Sequence, residues 1–318
     1  MRKIRLGVLA GLCVALAACS AGDTMAQSSD VAVSAADVHR FVAAWARLDP
    51  RDSTCDALKS YWDSASPGLI AYRSKYSVSM ASVCADIRVH PAQYAQLQHR
   101  LPEFDSAVVA TRRIYAQFAQ LHPMRNNPAV YFVVGNGVSG GTTTNGSHPI
   151  ILIGAERNKS AAGIPGAIAH ELTHTQQDYP YWGSLTGGPA FLRGSVLRNS
   201  IKEGAADLLK EIITGESIRS TYGEAHEQEL WTAFQRDANS KDYRLWLYNG
   251  WNAKELGDRP NDLGYWMGYR ISKAYYDHAS DKQQAISDIL SIRDFPAFLL
   301  KSGYAGVSEA ARASAGRP

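Results

Sequence analysis

The five residues His170-Glu171-Leu172-Thr173-His174 constrain the fold of this chain more than any other segment. Residues four apart lie on one face of an α-helix, so a helix here would direct both imidazoles at one ion. Neutral imidazole is a good zinc ligand. The Glu171 carboxylate would sit about 100° round the helix, where it can take a proton from a zinc-bound water. A pair of core histidines with buried hydrogen-bond partners is the alternative explanation.

The residues around this motif predict the helix that it needs. Pro165 precedes the motif by five residues and is tolerated in the first turn of a helix, and Pro180 limits the far end. Ile168 and Leu172 fall on the face opposite the two histidines. The helix would therefore present ligands on one side and core residues on the other.

A zinc site needs a third protein ligand and keeps its fourth position for water. Glu203 is the candidate, in a predicted helix whose apolar stripe ends before Gly215. Gly204 leaves space beside it, and Asp207 lies one turn further on, where a carboxylate can hold the second nitrogen of a ligand histidine. A second interpretation stays open, because Ser200 followed by Glu203 is also a capping-box pattern, in which Glu203 would only cap its helix.

The spacing H-E-x-x-H, followed about thirty residues later by E-x-x-x-D, resembles the gluzincin class of zinc peptidases. The resemblance implies one zinc ion per chain, with Glu203 as the third ligand and Asp207 orienting His170. In the corresponding mechanism, Glu171 takes a proton from the zinc-bound water as it attacks the peptide carbonyl, and then passes that proton to the leaving amine.

A second resemblance covers residues 125–305. The segments 264–270 (GYWMGYR) and 298–304 (FLLKSGY) resemble the predicted zinc-dependent proteases of the DUF2268 type and the gliding-motility lipoproteins of the GldB type. A peptidase also needs a group that stabilises the oxyanion. Tyr265 and Tyr269 are the candidates, four apart on a helix that Asp262 can cap, and Tyr269 is the first choice. Aromatic packing behind small glycines is the alternative.

Residues 1–18 are predicted to be a lipoprotein signal peptide. Three basic residues precede the apolar run 7–18, whose 12 residues are too few to span a bilayer. The run ends in LAAC, which resembles a bacterial lipobox and implies that Cys19 is lipidated. Ser20 after it favours the outer membrane, so the mature chain would be an envelope lipoprotein that faces the periplasm. An ordinary signal peptide cleaved near Ala26 is the alternative.

Charge and cysteine content agree with export. The chain has 33 basic and 30 acidic residues, and removal of the three basic residues of the signal leaves a formally neutral mature chain. It contains no basic run that would indicate nucleic acid. The expected partners are a peptide or protein substrate, and the membrane only through the lipid anchor. Of four cysteines, Cys13 leaves with the signal and Cys19 carries lipid, so Cys55 and Cys84 are expected to form a disulfide.

The expected fold class is α+β and mainly α. A flexible tether over residues 19–35 precedes a helical N-terminal region over 36–122. A zincin-like metallopeptidase domain follows over 123–306, with a short antiparallel sheet and the active-site helix, and residues 307–318 form a flexible tail.

Two apolar runs predict strands, at residues 130–134 and 150–153. Residues 135–147 between them, rich in Gly, Thr and Asn, are expected to be a mobile loop. If the fold is similar to that of zincins, residues 147–153 edge the cleft and pair with extended substrate.

Together these expectations describe an envelope-anchored zinc metallopeptidase. Two alternatives remain: a zinc amidase that acts on cell-wall peptide, and a catalytically silent zincin-fold lipoprotein of a cell-envelope assembly. The presence of Glu171 weighs against the silent protein, since loss of catalysis usually frees such a position to change.

Overall fold

The structure is a computed structural model, and it is α+β and mainly helical. The expected signal peptide, Cys19 and the C-terminal tail lie outside the residues that it describes, and so does most of the expected tether. Those residues are 31–49, 52, 54–144, 146–158, 160–180, 194–250 and 253–306.

Among the described residues, six α-helices precede the main strands. A Cys55–Cys84 disulfide joins the segment after the first of these helices to the fourth, which confirms the predicted pairing. The helices are α1 (Ala36–Trp45), α2 (Lys59–Asp63), α3 (Pro67–Tyr76), α4 (Met80–Val89), α5 (Pro91–Ala95) and α6 (Leu101–Leu121).

Eight α-helices follow the sheet in the part of the chain that the structure describes. They are α7 (Gly163–Gln176), α8 (Val196–Thr214), α9 (Thr221–Ala225), α10 (Glu227–Asp237), α11 (Ala253–Leu256), α12 (Leu263–His278), α13 (Lys282–Leu290) and α14 (Phe295–Ser302).

The four-stranded sheet is mixed, so the expected antiparallel sheet is wrong. Its strands are β1 (Val33–Ser34), β2 (Ala129–Val133), β3 (Gly141–Thr143) and β4 (Ile150–Gly154). In the order β1-β2-β4-β3, only the β3–β4 pair is antiparallel. Parallel strands covered on both faces are continuously apolar, which explains the uninterrupted runs of β2 and β4.

This strand order corrects two further expectations. β4 lies between β2 and β3, so the segment 147–153 does not form the edge of the sheet. The edge next to α7 is β3, which lies inside the segment expected to be a mobile loop. At the other edge, β1 occupies residues that the sequence assigned to the tether.

Helices α8 and α12 cross in direct backbone contact, and glycines make this possible. A methyl group on Gly204 would lie 1.9 Å from the backbone nitrogen of Tyr269, and one on Gly268 would lie 1.7 Å from the carbonyl oxygen of Ser200. Gly204 therefore makes room for α12, and not for Glu203 as the sequence suggested.

One hydrophobic core runs through the whole described structure. It includes Phe41 from α1, Phe132 from β2, Ile168 from α7 and Leu209 from α8, all fully buried. The helices before residue 122 thus pack on the same core as those after it. Among the described residues, no helix combines the length and apolar character that a membrane crossing requires.

Candidate metal centre

Helix α7 places the two histidines as their spacing predicted. Ile168 and Leu172 are fully buried on its core face, while His170 and His174 lie on the other face, partly open to solvent. The helix ends at Gln176, four residues before Pro180. Burial of the apolar face fixes the rotation of α7, and that rotation fixes the direction of both imidazoles.

The imidazoles of α7 meet a carboxylate from α8. The Nε2 atoms of His170 and His174 lie 3.0 Å apart, and Glu203 Oε2 lies 3.3 Å from the first and 2.9 Å from the second. These three residues each offer one ligand atom to a common point and could hold a metal ion. Donors around one zinc ion, each about 2.0–2.2 Å from it, have separations only slightly larger than these.

The outer nitrogens of the two imidazoles are already engaged. His170 Nδ1 lies 2.9 Å from Asp207 Oδ1, the contact expected from the sequence. His174 Nδ1 lies 2.9 Å from the side-chain oxygen of Gln177. Both partners accept, so each Nδ1 carries the proton, and in a neutral ring Nε2 then carries a lone pair. Two lone pairs and a carboxylate oxygen facing one another need a cation between them, so the donor set fits a divalent metal.

The electrostatics of the site also favour a positive charge. Burial lowers the pKa of His170, but the negative charges of Asp207, Glu203 and Glu171 outweigh it and raise that pKa to about 10. Burial alone would raise the pKa of Glu203, but Lys202 and the two histidines outweigh it and hold the pKa of this carboxyl well below its usual range. The field that would keep a proton on His170 would equally attract a metal ion.

Glu203 does not cap a helix, so the capping interpretation is wrong. Helix α8 begins at Val196, and Ser195 caps it by accepting a hydrogen bond from the Arg198 backbone at 3.2 Å. Glu203 therefore lies two turns inside the helix, where it is buried. Its Oε1 accepts from Lys202 Nζ at 2.8 Å and from the Tyr248 hydroxyl at 2.7 Å, which leaves Oε2 for the histidines.

Glu171 lies between the histidine face and the edge strand. It is largely buried, and a methyl group on Gly141 of β3 would lie 3.1 Å from its Oε1. Only a residue without a side chain leaves the carboxylate its present room. Glu171 is thus held beside the donor set without belonging to it, which is the placement that a general base requires.

The structure brings only one of the two predicted tyrosines to the histidines. The Tyr265 ring stacks on His170, with centroids 6.1 Å apart and planes 18° from parallel. Tyr269 instead donates its hydroxyl to Glu211, two turns beyond Glu203 on α8, so its expected role at the oxyanion stays a prediction. Asp262 occupies the N-cap position of α12, but its side chain makes no capping hydrogen bond.

Sequence reasoning missed two residues that hold the candidate ligands in place. Gln177 orients His174 and also donates to the Lys202 carbonyl at 2.8 Å, which ties the end of α7 to α8. Tyr248 fixes Glu203 from a loop and has a left-handed backbone, with φ of 54°. Position directly after a ligand helix could have suggested Gln177. No sequence signal distinguishes Tyr248.

A cavity of about 420 Å³ opens beside the donor set on the side of the edge strand. Its described lining is polar and includes His174, Thr143 and Thr144, with Arg125 and Asp178 forming an ion pair of 2.9 Å. His174, one of the three donors, is therefore reachable from a groove that also contacts β3 at Thr143.

Comparison of the chain with protein-family models, with curated proteins and with solved structures found no match.

Proposed function

We propose that this chain is a zinc-dependent metallopeptidase of the gluzincin kind, held in the bacterial envelope by a lipid on Cys19. The observation that carries the proposal is the convergence of His170, His174 and Glu203, with Glu171 held beside them. The resemblances to gluzincins, to DUF2268-type proteases and to GldB-type lipoproteins support it, as does the lipobox-like sequence. A zincin-like fold is part of this proposal.

In this proposal, three residues bind the metal ion and three others orient them. His170, His174 and Glu203 hold the ion, Asp207 and Gln177 orient the two rings, and Tyr248 orients the carboxylate. Bound zinc would supply a Lewis acid that lowers the pKa of a water toward 7.

Glu171 would accept a proton from the attacking water and deliver it to the amine that leaves. The groove beside β3 would hold the peptide, with the scissile carbonyl at the open position of the donor set. Tyr265 stays a candidate for the oxyanion, because its ring lies against His170.

Metal content tests the site directly. A soluble form that begins at residue 27 keeps every described residue, and we expect it to bind one zinc ion per chain. Glu203→Ala should lose the ion or bind it far more weakly. Glu216→Ala, which removes an exposed carboxylate just beyond the same helix, is the matched control and should bind zinc normally. A protein without bound zinc, or a zinc content that Glu203→Ala leaves unchanged, would refute the proposal.

Turnover tests the chemistry separately. Zinc-loaded protein should cleave casein in a manner that a chelator abolishes, and zinc-loaded Glu171→Gln should not. Full activity of Glu171→Gln would refute the role of the base. Cleavage of muropeptides alone would instead indicate a cell-wall amidase, and zinc binding without any turnover would indicate a silent envelope lipoprotein.

A further inference from the structure

The edge strand β3 presents an unusual set of groups to the groove. The Thr144 backbone N–H donates to the Ile150 carbonyl at 2.9 Å across the antiparallel pair. In such a ladder, residues that bond to the partner strand alternate with residues that face away from it. Gly141 and Thr143 therefore direct their backbone N–H and C=O groups toward the open edge of the sheet.

The outward carbonyls of this edge are already used. Gly141 O accepts from the Ser139 hydroxyl at 2.7 Å, and Thr143 O accepts from Lys75 Nζ at 2.5 Å. An extended peptide that added to this edge as a strand would need those two acceptors. A ligand at this edge therefore meets outward backbone N–H donors, and not the alternating N–H donors and C=O acceptors that an added β-strand would pair with.

Lys75 comes from α3, in the helical region before the sheet. Its ammonium also donates to Thr142 Oγ1 at 2.5 Å, so two of its three N–H groups bond to β3 and one is left for a ligand. Among the described residues, no carboxylate lies within 4.0 Å of this ammonium. The positive charge is therefore fixed in place but not paired.

The charge of Lys75 acts at the catalytic centre. Burial of its ammonium lowers the pKa of Lys75, Glu171 opposes that effect and Lys202 adds to it, so all three groups share one field. Lys202 is already paired with Glu203. An anion at the open edge of β3 would meet the ammonium of Lys75, which has no carboxylate of the described residues within ion-pair distance, next to the outward N–H groups of Gly141 and Thr143.

We propose that Lys75 and the outward N–H groups of β3 form a carboxylate-binding subsite. The substrate would then be a peptide with a carboxylate near the scissile bond, supplied either by an Asp or Glu side chain or by a free C-terminus. This inference rests on the proposed peptidase function, and it assigns the N-terminal helices a part in substrate selection. A charge-assisted hydrogen bond of this kind corresponds to about a ten- to hundredfold preference for an acid over its amide.

The test uses pairs of peptides that differ only in charge. One series replaces Asp or Glu at each position beside the scissile bond by Asn or Gln, and a second replaces a free C-terminus by an amide. The readout is the ratio of kcat/KM for acid over amide within one protein, so partial loss of folded protein cancels. The proteins are the zinc-loaded soluble form, Lys75→Gln, Lys75→Arg and Lys59→Gln, the last changing an exposed lysine on α2.

We expect a ratio of at least about ten for the unmodified protein and for Lys59→Gln, in one of the two series. The ratio should fall to about one in Lys75→Gln and be largely kept in Lys75→Arg. The series that shows the preference identifies the source of the carboxylate. Cleavage without any acid preference, or a preference that Lys75→Gln leaves intact, would overturn the inference.

A binding arm separates this inference from the proposed function. Zinc-loaded Glu171→Gln should bind fluorescent acidic peptides more tightly than their amides, and Lys75→Gln in the same background should not. Acid-selective binding without turnover by the unmodified protein would keep the subsite and reject the peptidase. Neither binding nor cleavage of any peptide would reject both.

Discussion

Glu156 allows a quantitative test of the structure away from the candidate metal centre. It follows β4 and is almost fully buried. Its Oε1 accepts from the backbone N–H groups of Gly135 and Gly137, at 3.0 and 3.1 Å, while no hydrogen-bond partner reaches Oε2 among the described atoms. Burial raises the pKa of this carboxyl from 4.5 to about 7, although the backbone hydrogen bonds oppose the shift.

The sign of the effect on stability follows from linkage. The folded state binds the proton of Glu156 more tightly than the unfolded state, so the associated stability is fully present below about pH 4.5 and is lost as the pH rises through about 7. The whole separation corresponds to about 3 kcal/mol, and most of it falls between pH 5 and pH 8.

Glu156→Gln isolates this contribution, because the amide keeps an oxygen for the two N–H groups and cannot ionise. Urea unfolding of metal-free protein at pH 5 and pH 8 gives the free energy of unfolding for both proteins. We expect the variant to gain about 2 to 3 kcal/mol relative to the unmodified protein between these pH values. Glu224→Gln, at an exposed carboxylate, should give no such gain. A difference that stays constant with pH would show that Glu156 titrates as an ordinary carboxyl, and the argument from burial would fail.

Three further substitutions test the site and its support. Asp207→Asn should weaken zinc binding about ten- to hundredfold in a chelator competition, since it removes the charged partner of a ligand ring; unchanged affinity would show that Asp207 does not act through the ligand. Gly268→Ala should destabilise the fold by about 3 kcal/mol in urea, because its methyl group would meet backbone on α8, and a neutral effect would contradict the helix crossing. Tyr269→Phe should keep kcat/KM within about twofold, because its hydroxyl bonds to Glu211, whereas a loss above a hundredfold would restore the oxyanion role.

The parts of the site that sequence predicted are those set by local periodicity. Two histidines four apart and two apolar residues on the opposite face determine a helix and its orientation at once, and α7 has both. By the same spacing, Glu203 and Asp207, four apart, were predicted to share one face of α8. Gly215, predicted to follow the end of this helix, has the left-handed backbone expected there. Such patterns need no knowledge of what lies on the other side of the core.

The errors concern pairings between distant segments. β3 is only three residues long, Gly-Thr-Thr, so the strand preference of its two threonines is too short a signal, and it becomes a strand because it pairs with β4. The S-x-x-E pattern at Ser200 looks the same in the middle of a helix as at its start, and the start was set five residues earlier by Ser195. Lys75 reaches β3 only because the helices before the sheet share its core.

The alternating glycines and tyrosines of α12 are explained by the same kind of distant contact. Gly204 and Gly268 let α8 and α12 touch, and at this separation the Tyr265 ring reaches His170 while Tyr269, one turn on, reaches the next part of α8. A larger residue at either glycine would move α12 outward and separate the Tyr265 ring from His170. Since Glu203 directly precedes Gly204 on α8, the crossing sets both the position of the Tyr265 ring over the candidate metal centre and the position of the third candidate ligand. The glycines of this segment therefore affect the candidate metal centre by setting the distance between α8 and α12. Of its two tyrosines, Tyr265 contacts His170 and Tyr269 bonds to Glu211.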